Sequence, residues 1–513
     1  MNGAETVVRT LIASGVDTCF ANPGTSEMHI VAALDRHPQM RCVLGLTESV
    51  VTGAADGYGR MADRPAATLL HCGPGLANGL SNLHNARRAG TPIVNIVGDQ
   101  ATYHASYDPP LNAPSQTWAA PVSKWVRRCT SSLAAADDCA EAIHAASSHP
   151  RGIATMILPC DAGWNAAAGD ADPLPVRSRT SVEEAAVERA ATVLRSKEPT
   201  VILLGGQALR RPALEAAGRI AAATGARLVA PTHISRMERG GGCGEVQRVP
   251  YPVDEAVRFF SGARHLVTVC SRPPVAFFAY PGKPQVPTPP DIEVQSLADE
   301  TQDAVDALCR LADLLNAPRS VPLEAPSRPR VATGEISSPA VAQSVAALMP
   351  EDAIIVDESV SFGRAFFAGT RFAPRHDWLQ LTGGAIGLGI PMATGAAIAA
   401  PDRRVINLQA DGSALYTVQA LWTQARERLD VTTVILSNRR YAILLGELAN
   451  VGATAGKSAH DMMSLSAPEM NWQALAKGFG VESAVARTMS AFNDLLRTSS
   501  MRAGPFLIEL LVP

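Results

Sequence analysis

The chain has 513 residues and a formal net charge of −3, with 47% hydrophobic and 18% charged residues. That length exceeds one compact core and points to about three globular domains. No basic run marks a nucleic-acid footprint, and no apolar stretch reaches the roughly 18 residues needed to span a membrane, so neither partner is expected and any phosphate bound here belongs to a small molecule.

At the N-terminus, Val7, Val8, Leu11 and Ile12 recur at helical spacing. No basic region precedes an apolar block there, so a signal peptide is not expected. Nine cysteines occur, none in a C-x-x-C pair. An odd number in a long chain reads as buried free thiols of a cytoplasmic protein, with no metal cluster among them.

Short apolar runs then alternate with helical stretches. The first group is Ala67 to His71, Ile93 to Val97 and Ala154 to Leu158. The second is Val201 to Gly205, Leu228 to Ala230 and Leu266 to Cys270. The third is Ala353 to Asp357, Val405 to Gln409, Thr433 to Ser437 and Leu507 to Leu511. Continuous apolar runs bounded by turn residues suit parallel strands covered on both faces. The expected fold class is therefore α/β, with doubly wound parallel-sheet domains. Two Pro-rich segments read as linkers: Gly169 to Val176, and Asn316 to Arg330 with Pro318, Pro322, Pro326 and Pro329. They leave domains at 1–168, 182–315 and 332–513.

Several motifs fall at predicted strand ends. Thr18 to Phe20 leads into Asn22-Pro-Gly-Thr25-Ser-Glu27, where Thr25 and Ser26 suit a cap on a helix from Met28 to Leu34. Glu48 opens a helix rich in Val, Ala and Gly. Its small residues allow close packing on another surface, and a carboxyl in such a layer suits a proton relay. His71 stands at a strand end before Cys72-Gly-Pro-Gly75. Val356-Asp-Glu-Ser-Val-Ser361 offers hydroxyls at a similar level. The stretch Thr382-Gly-Gly-Ala-Ile386-Gly-Leu-Gly permits close backbone approach to a ligand, and the helix opening near Pro391 is expected to present free N–H groups to phosphate. Last, Val405 to Gln409 ends in Asp411-Gly-Ser413, and Asn438 follows 27 positions after Asp411 at the next strand end. A carboxylate, an amide oxygen and a loop carbonyl there make a hard-oxygen site suited to Mg²⁺ and a phosphate.

Taken together, these motifs resemble in order and spacing the decarboxylase and acetohydroxyacid-synthase group of thiamine-diphosphate enzymes, over nearly the whole chain. Within that group the chain looks most like the benzoylformate decarboxylases. The resemblance implies a pyrimidine-binding, a central and a diphosphate-binding domain. It also implies a homodimer or homotetramer with active sites between subunits, acting on a small 2-oxo acid or aldehyde. By position, Glu48 matches the glutamate that hydrogen-bonds the aminopyrimidine ring. Asp411 and Asn438, with the backbone carbonyl of Arg440, match the Mg²⁺ ligands. Ser361, Gly384, Gly412, Ser413 and Tyr441 match the cofactor's surroundings, and Ile386 the residue that bends it. Thr25 and His71 match active-site polar residues.

Departures from the pattern are informative. Ala410 and Ser437 replace a motif glycine and asparagine. The central segment Pro273 to Gly282 contains no histidine, although the benzoylformate decarboxylases carry a second catalytic one there; Tyr280 is the candidate substitute. A missing acid–base group favours carboligation over plain decarboxylation. Arg439 and Arg440 read as surface residues. No Phe-Asp-Asp-Arg stretch occurs, so FAD is not expected. The alternatives are a hydroxy-ketone (benzoin-type) lyase and a non-catalytic cofactor-binding homologue.

Overall fold

A computed structural model describes residues 1–321 and 325–513; Pro322 of the second Pro-rich segment lies outside the described residues. Three sheets organise the chain into an α/β fold of three parallel-sheet domains. The first sheet runs, edge to edge, Arg41–Leu44, Thr18–Asn22, Ala66–Leu70, Ile93–Asp99, Ile153–Pro159 and Trp125–Arg128. The second runs Gln247–Arg248, Arg227–Ala230, Thr200–Leu204, His265–Val269 and Glu293–Ala298. The third runs Glu482–Ala486, Phe506–Leu511, Val431–Ser437, Val405–Ala410, Ala353–Glu358, His376–Gln380 and Arg236–Arg239.

The ten apolar runs expected as strands all form strands, within two residues of the expected ends. The strands without such a run are mainly edge strands. Arg41–Leu44, Trp125–Arg128 and Glu293–Ala298 are largely half-buried or exposed, so they carry no continuous apolar signal. One strand breaks the parallel expectation. Arg236–Arg239 leaves the central segment and pairs antiparallel with His376–Gln380 of the third sheet. The cysteine expectation is also corrected. All nine are free, but Cys42 is exposed and Cys160, Cys243 and Cys309 are only partly buried.

Strand order reverses within each sheet. In the first this lies between Thr18–Asn22 and Ala66–Leu70, and in the third between Ala353–Glu358 and Val405–Ala410. Crossover helices leave to opposite faces there, opening a crevice beyond the carboxyl ends of the strands. Thr25, Glu27 and His71 follow the first switch point, and Glu358 and Asp411 the third.

The Glu48–Ala62 helix packs inside the chain on the Gly389–Ala399 helix of the C-terminal domain. A Cβ at Gly57 would lie 2.1 Å from the Met392 carbonyl oxygen, and one at Gly395 would overlap that of Ala54. The small residues of the first helix thus allow backbone-to-backbone contact with the third domain.

At the far end of that helix, Arg60 is 2% exposed and pairs with Asp56 at 2.6 Å. Its remaining N–H groups donate to the Ser235 and Gln380 carbonyls (3.1 and 2.7 Å) and to the Thr382 hydroxyl (3.0 Å). One guanidinium therefore joins all three domains with every donor used. His376, on the penultimate strand of the third sheet, is buried, and its Nδ1–H donates to the Pro374 carbonyl at 2.7 Å. Burial, aided by the charge of Arg239, pushes its pKa down to about 3.

Two outcomes follow. Arg60→Met leaves Asp56 unpaired in the interior and should lower stability by about 3–5 kcal/mol, read from denaturant unfolding; adding Asp56→Leu should restore part of it. His376 stays neutral in the folded chain but takes up a proton below about 6.5 when unfolded. Its contribution is therefore present above that pH and lost on acidification towards about 3. The fall in Tm between pH 7 and 5 should shrink in His376→Gln; an unchanged slope would assign the acid sensitivity elsewhere.

Candidate functional site

Parallel register between Val405–Ala410 and Val431–Ser437 brings their carboxyl ends together, with Ala410 opposite Leu436. Asp411 and Asn438 follow directly. Asp411 is buried, and its Oδ1 and Oδ2 accept the backbone N–H groups of Gly412 (2.8 Å) and Arg439 (2.6 Å). Burial raises its pKa above the ordinary carboxylate range, and no Lys or Arg side chain pairs with it among the described residues. The Asn438 amide oxygen accepts from the Arg440 N–H at 3.1 Å. A desolvated carboxylate beside an amide oxygen, both backed by backbone donors, suits a hard divalent cation that keeps open positions for phosphate.

Neighbouring residues are placed less uniformly. The Tyr441 ring lies against Gly412, where a Cβ would approach it to 2.5 Å. Ser413 is buried; its hydroxyl accepts from Gln409 Nε2 at 2.6 Å and donates to the Ala410 carbonyl at 3.0 Å. It shapes the turn and presents no free hydroxyl. Ser361 is half-buried ahead of the short Phe362–Ala365 turn. Arg439 adopts a left-handed backbone (φ 58°) and pairs with Glu469 at 2.8 Å, while the exposed Arg440 bridges Ser464. Both arginines are surface residues, as expected.

The glycine-rich stretch is fastened from two sides. Asn85, on the Cys72–Ala89 helix, accepts from the Gly383 and Ala385 N–H groups through Oδ1 and donates to the Ala385 carbonyl at 2.7 Å. From the other side, Glu358 accepts the Gly387 and Gly389 N–H groups at 2.7 and 2.5 Å. This corrects the expectation of free N–H groups near Pro391, because a buried carboxylate already occupies that helix start. Burial keeps the Glu358 pKa raised, and the N–H groups moderate it. Gly384 has φ +82°, and the Phe277 ring lies where its Cβ would be, at 2.5 Å. Ile386 is half-buried beside it.

The second cluster lies on the N-terminal domain. Glu48, the first residue of its helix, is 7% exposed, and Asn78 Nδ2 donates to its Oε2 at 3.1 Å. A Cβ at Gly75 would lie 2.7 Å from Glu48 Oε1 and 3.3 Å from His71 Cβ, so the two residues flank that glycine. Residues Thr25–Glu27 form a 3-10 turn. The expected Thr25/Ser26 cap is replaced by Glu27, whose carboxylate accepts the Gly24 N–H at 2.7 Å. Thr25 is left exposed next to that turn. Glu27 is fully buried and accepts the His71 Nδ1–H at 2.9 Å. Sequence reasoning passed over Glu27, Asn85 and Glu358. Glu27 alone had a local sign, a carboxylate in a capping position.

Glu48, Thr25 and His71 are thus brought together, as are Asp411, Gly412, Asn438, the Arg440 backbone and Tyr441. The two groups share no hydrogen bond among the described residues. Tyr280 is half-buried with Tyr251 and Glu447; burial and then the Glu447 carboxylate push its pKa above the ordinary tyrosine range. A separate cavity of about 870 Å³ opens at the carboxyl ends of the central sheet, lined by Arg60, Lys124, Arg210, Arg236, Gly205 and Cys270. It does not coincide with either cluster.

Residues 1–120 match the family described as thiamine pyrophosphate enzyme, N-terminal TPP binding domain, and residues 363–510 its C-terminal TPP binding domain. The chain is 50% identical to the "Putative acetolactate synthase large subunit IlvX" of Mycobacterium tuberculosis, over 100% of this chain and 99% of that protein. It is 28% identical to the benzoylformate decarboxylase of Pseudomonas aeruginosa, over 97% and 96%. Among solved structures, the thiamine diphosphate-dependent 4-hydroxybenzoylformate decarboxylase of Rhodococcus jostii RHA1 superposes with a TM-score of 0.88 at 25% identity, over 100% and 99% of the two chains. With two strand-end clusters in this arrangement and these relatives over its full length, the chain belongs to the thiamine pyrophosphate enzymes, of the acetolactate synthase and benzoylformate decarboxylase type.

Proposed function

We propose that this protein, organised as domains 1–168, 182–315 and 332–513, is a Mg²⁺-dependent enzyme that decarboxylates a small 2-oxo acid and joins the remaining acyl carbon to a carbonyl acceptor, as an acetolactate-synthase-like carboligase. The observation that carries this reading is the proton supply. The central segment has Tyr280 in place of a histidine, and a phenol with a raised pKa beside Glu447 is a poor proton donor near neutrality. Slow protonation leaves the reacting carbon free to meet a carbonyl.

Asp411 and Asn438, with the Arg440 carbonyl, would hold Mg²⁺. Gly384, Gly412, Ser361, Ser413 and Tyr441 would border the diphosphate, and Ile386 would press on the cofactor's middle. Bound thiamine diphosphate supplies a nucleophilic carbon and an electron sink for the departing carbon dioxide. Glu48, held by Asn78, would carry the proton exchanged with the pyrimidine ring. His71, oriented by Glu27, and Thr25 would face the substrate. Because the Glu48 and Asp411 clusters share no hydrogen bond among the described residues, we read the working site as completed between subunits of a homodimer or homotetramer in the cytoplasm. Plain decarboxylation is the second reading, favoured by the oriented His71–Glu27 pair.

Product analysis separates the two. Pyruvate or benzoylformate, with and without benzaldehyde, should give acetolactate or another hydroxy ketone; carbon dioxide with an equal amount of free aldehyde would establish the decarboxylase instead. In either case Glu48→Gln should lower kcat by about 100-fold or more while cofactor binding persists. An unchanged rate would remove Glu48 from proton transfer. Asp411→Ala should weaken thiamine diphosphate and Mg²⁺ binding together, by about 10–100-fold in calorimetric titration. Unaltered affinity for both would rule out the metal assignment.

A further inference from the structure

Glu27 is fully buried, and its carboxylate meets no Lys or Arg among the described residues. Gly98 packs directly against it, in a position any Cβ would share with the carboxylate. Its neighbours are the Gly24 N–H, the Ser26 hydroxyl and the His71 ring. An interior carboxylate with this surrounding is short of positive charge.

Cys72 completes the cluster. It follows His71 directly and opens the Cys72–Ala89 helix with a left-handed backbone, φ 51°, a conformation uncommon outside glycine. Its thiol donates to Ser26 Oγ at 3.0 Å, and the same oxygen lies 3.2 Å from His71 Nδ1. The carboxylate, imidazole and sulfur ligand atoms all lie within 4.8 Å of one another. Cys160, the neighbouring thiol, is committed to the Asp99 carbonyl at 3.0 Å. Cys72 and Glu27 sit at the back of the cluster, while the His71 side chain is 23% exposed and gives access from solvent.

Zn²⁺ takes sulfur at about 2.3 Å and nitrogen or oxygen at about 2.0–2.2 Å, which sets tetrahedral ligands roughly 3.5 Å apart. Glu27, His71 and Cys72 need only sub-ångström to ångström adjustment to reach that spacing, with the Ser26 hydroxyl or a water as fourth ligand. A carboxylate and a thiolate also neutralise the ion, which removes the buried charge deficit. Mg²⁺ demands oxygen ligands and octahedral geometry, so the sulfur-containing cluster discriminates against it.

We propose that Glu27, His71 and Cys72 form a binding site for a thiophilic divalent cation, Zn²⁺, whose occupation inhibits the enzyme. On binding, the Cys72 thiol proton passes to solvent and the His71 ring proton moves to Nε2, leaving Nδ1 on the metal. The metal then replaces Glu27 as the partner that orients the imidazole proposed to face the substrate. The binding site stands on geometry alone; the inhibition rests on the role proposed for His71.

The test uses the holoenzyme saturated with thiamine diphosphate and Mg²⁺, with Co²⁺ as the visible stand-in for Zn²⁺. One equivalent per chain should produce thiolate-to-cobalt charge-transfer absorption that Zn²⁺ displaces, unchanged in Cys160→Ser and absent in Cys72→Ser. Zn²⁺ should lower kcat by about 100-fold or more in the wild type, and leave Cys72→Ser at its own uninhibited rate. No thiolate band, or a band that survives in Cys72→Ser, overturns the site. A band without inhibition retains the site and overturns its effect on turnover. An enzyme inactive on every 2-oxo acid would still report the site through its absorption.

Discussion

The arrangement of the three domains depends on one buried guanidinium. Arg60 is neutralised by Asp56 one helical turn away and gives its other donors to main-chain and side-chain oxygens of the central and C-terminal domains. Arg236 repeats the device from the central domain, pairing with Asp377 at 2.6 Å and donating to the Arg60 and Met61 carbonyls at 3.0 Å each. A buried cation must satisfy every N–H it carries, so these contacts specify one relative placement of the domains. The Glu48 helix then has one direction, and its N-terminal carboxylate one position.

The polar chemistry gathers where each sheet reverses strand order. At the first and third switch points, loops leave the strands in opposite directions, and side chains at their starts converge on a crevice. Three of the buried carboxylates there are each balanced differently. Glu358 is satisfied by backbone N–H groups at the start of the Gly389–Ala399 helix, where the helix dipole also favours negative charge. Asp411 has two backbone donors and no cationic side chain, and is left suited to a metal ion. Glu27 faces a histidine. These buried carboxylates thus differ in what neutralises them: helix-start N–H groups, two backbone donors with no cationic partner, or a histidine ring.

Rigidity around the glycine-rich stretch has a similar origin. Asn85 and Glu358 hold its main chain from two domains, and Phe277 of the central segment lies on Gly384. The segment that would face a cofactor therefore draws its order from residues scattered over the whole chain.

Much was legible without coordinates. Apolar runs of strand length between helical stretches define parallel α/β domains, because strands covered on both faces must be continuously apolar. The 27-residue spacing of Asp411 and Asn438 places both at neighbouring strand ends, since one strand–helix–strand unit spans that length. Edge strands such as Trp125–Arg128 escaped because half-exposed strands carry no such run. The antiparallel Arg236–Arg239 strand escaped because its partner lies in another domain. The residues left unread, Glu27, Asn85 and Glu358, look like ordinary polar residues of a turn, a helix and a strand end. Their importance comes from partners as distant as residue 385 is from Asn85. The sequence by itself determined periodicity, strand ends and local motifs, because these follow from neighbours along the chain. Only the tertiary structure decided which buried charge meets which donor, because burial removes water as a partner and leaves the choice to whatever the fold brings alongside.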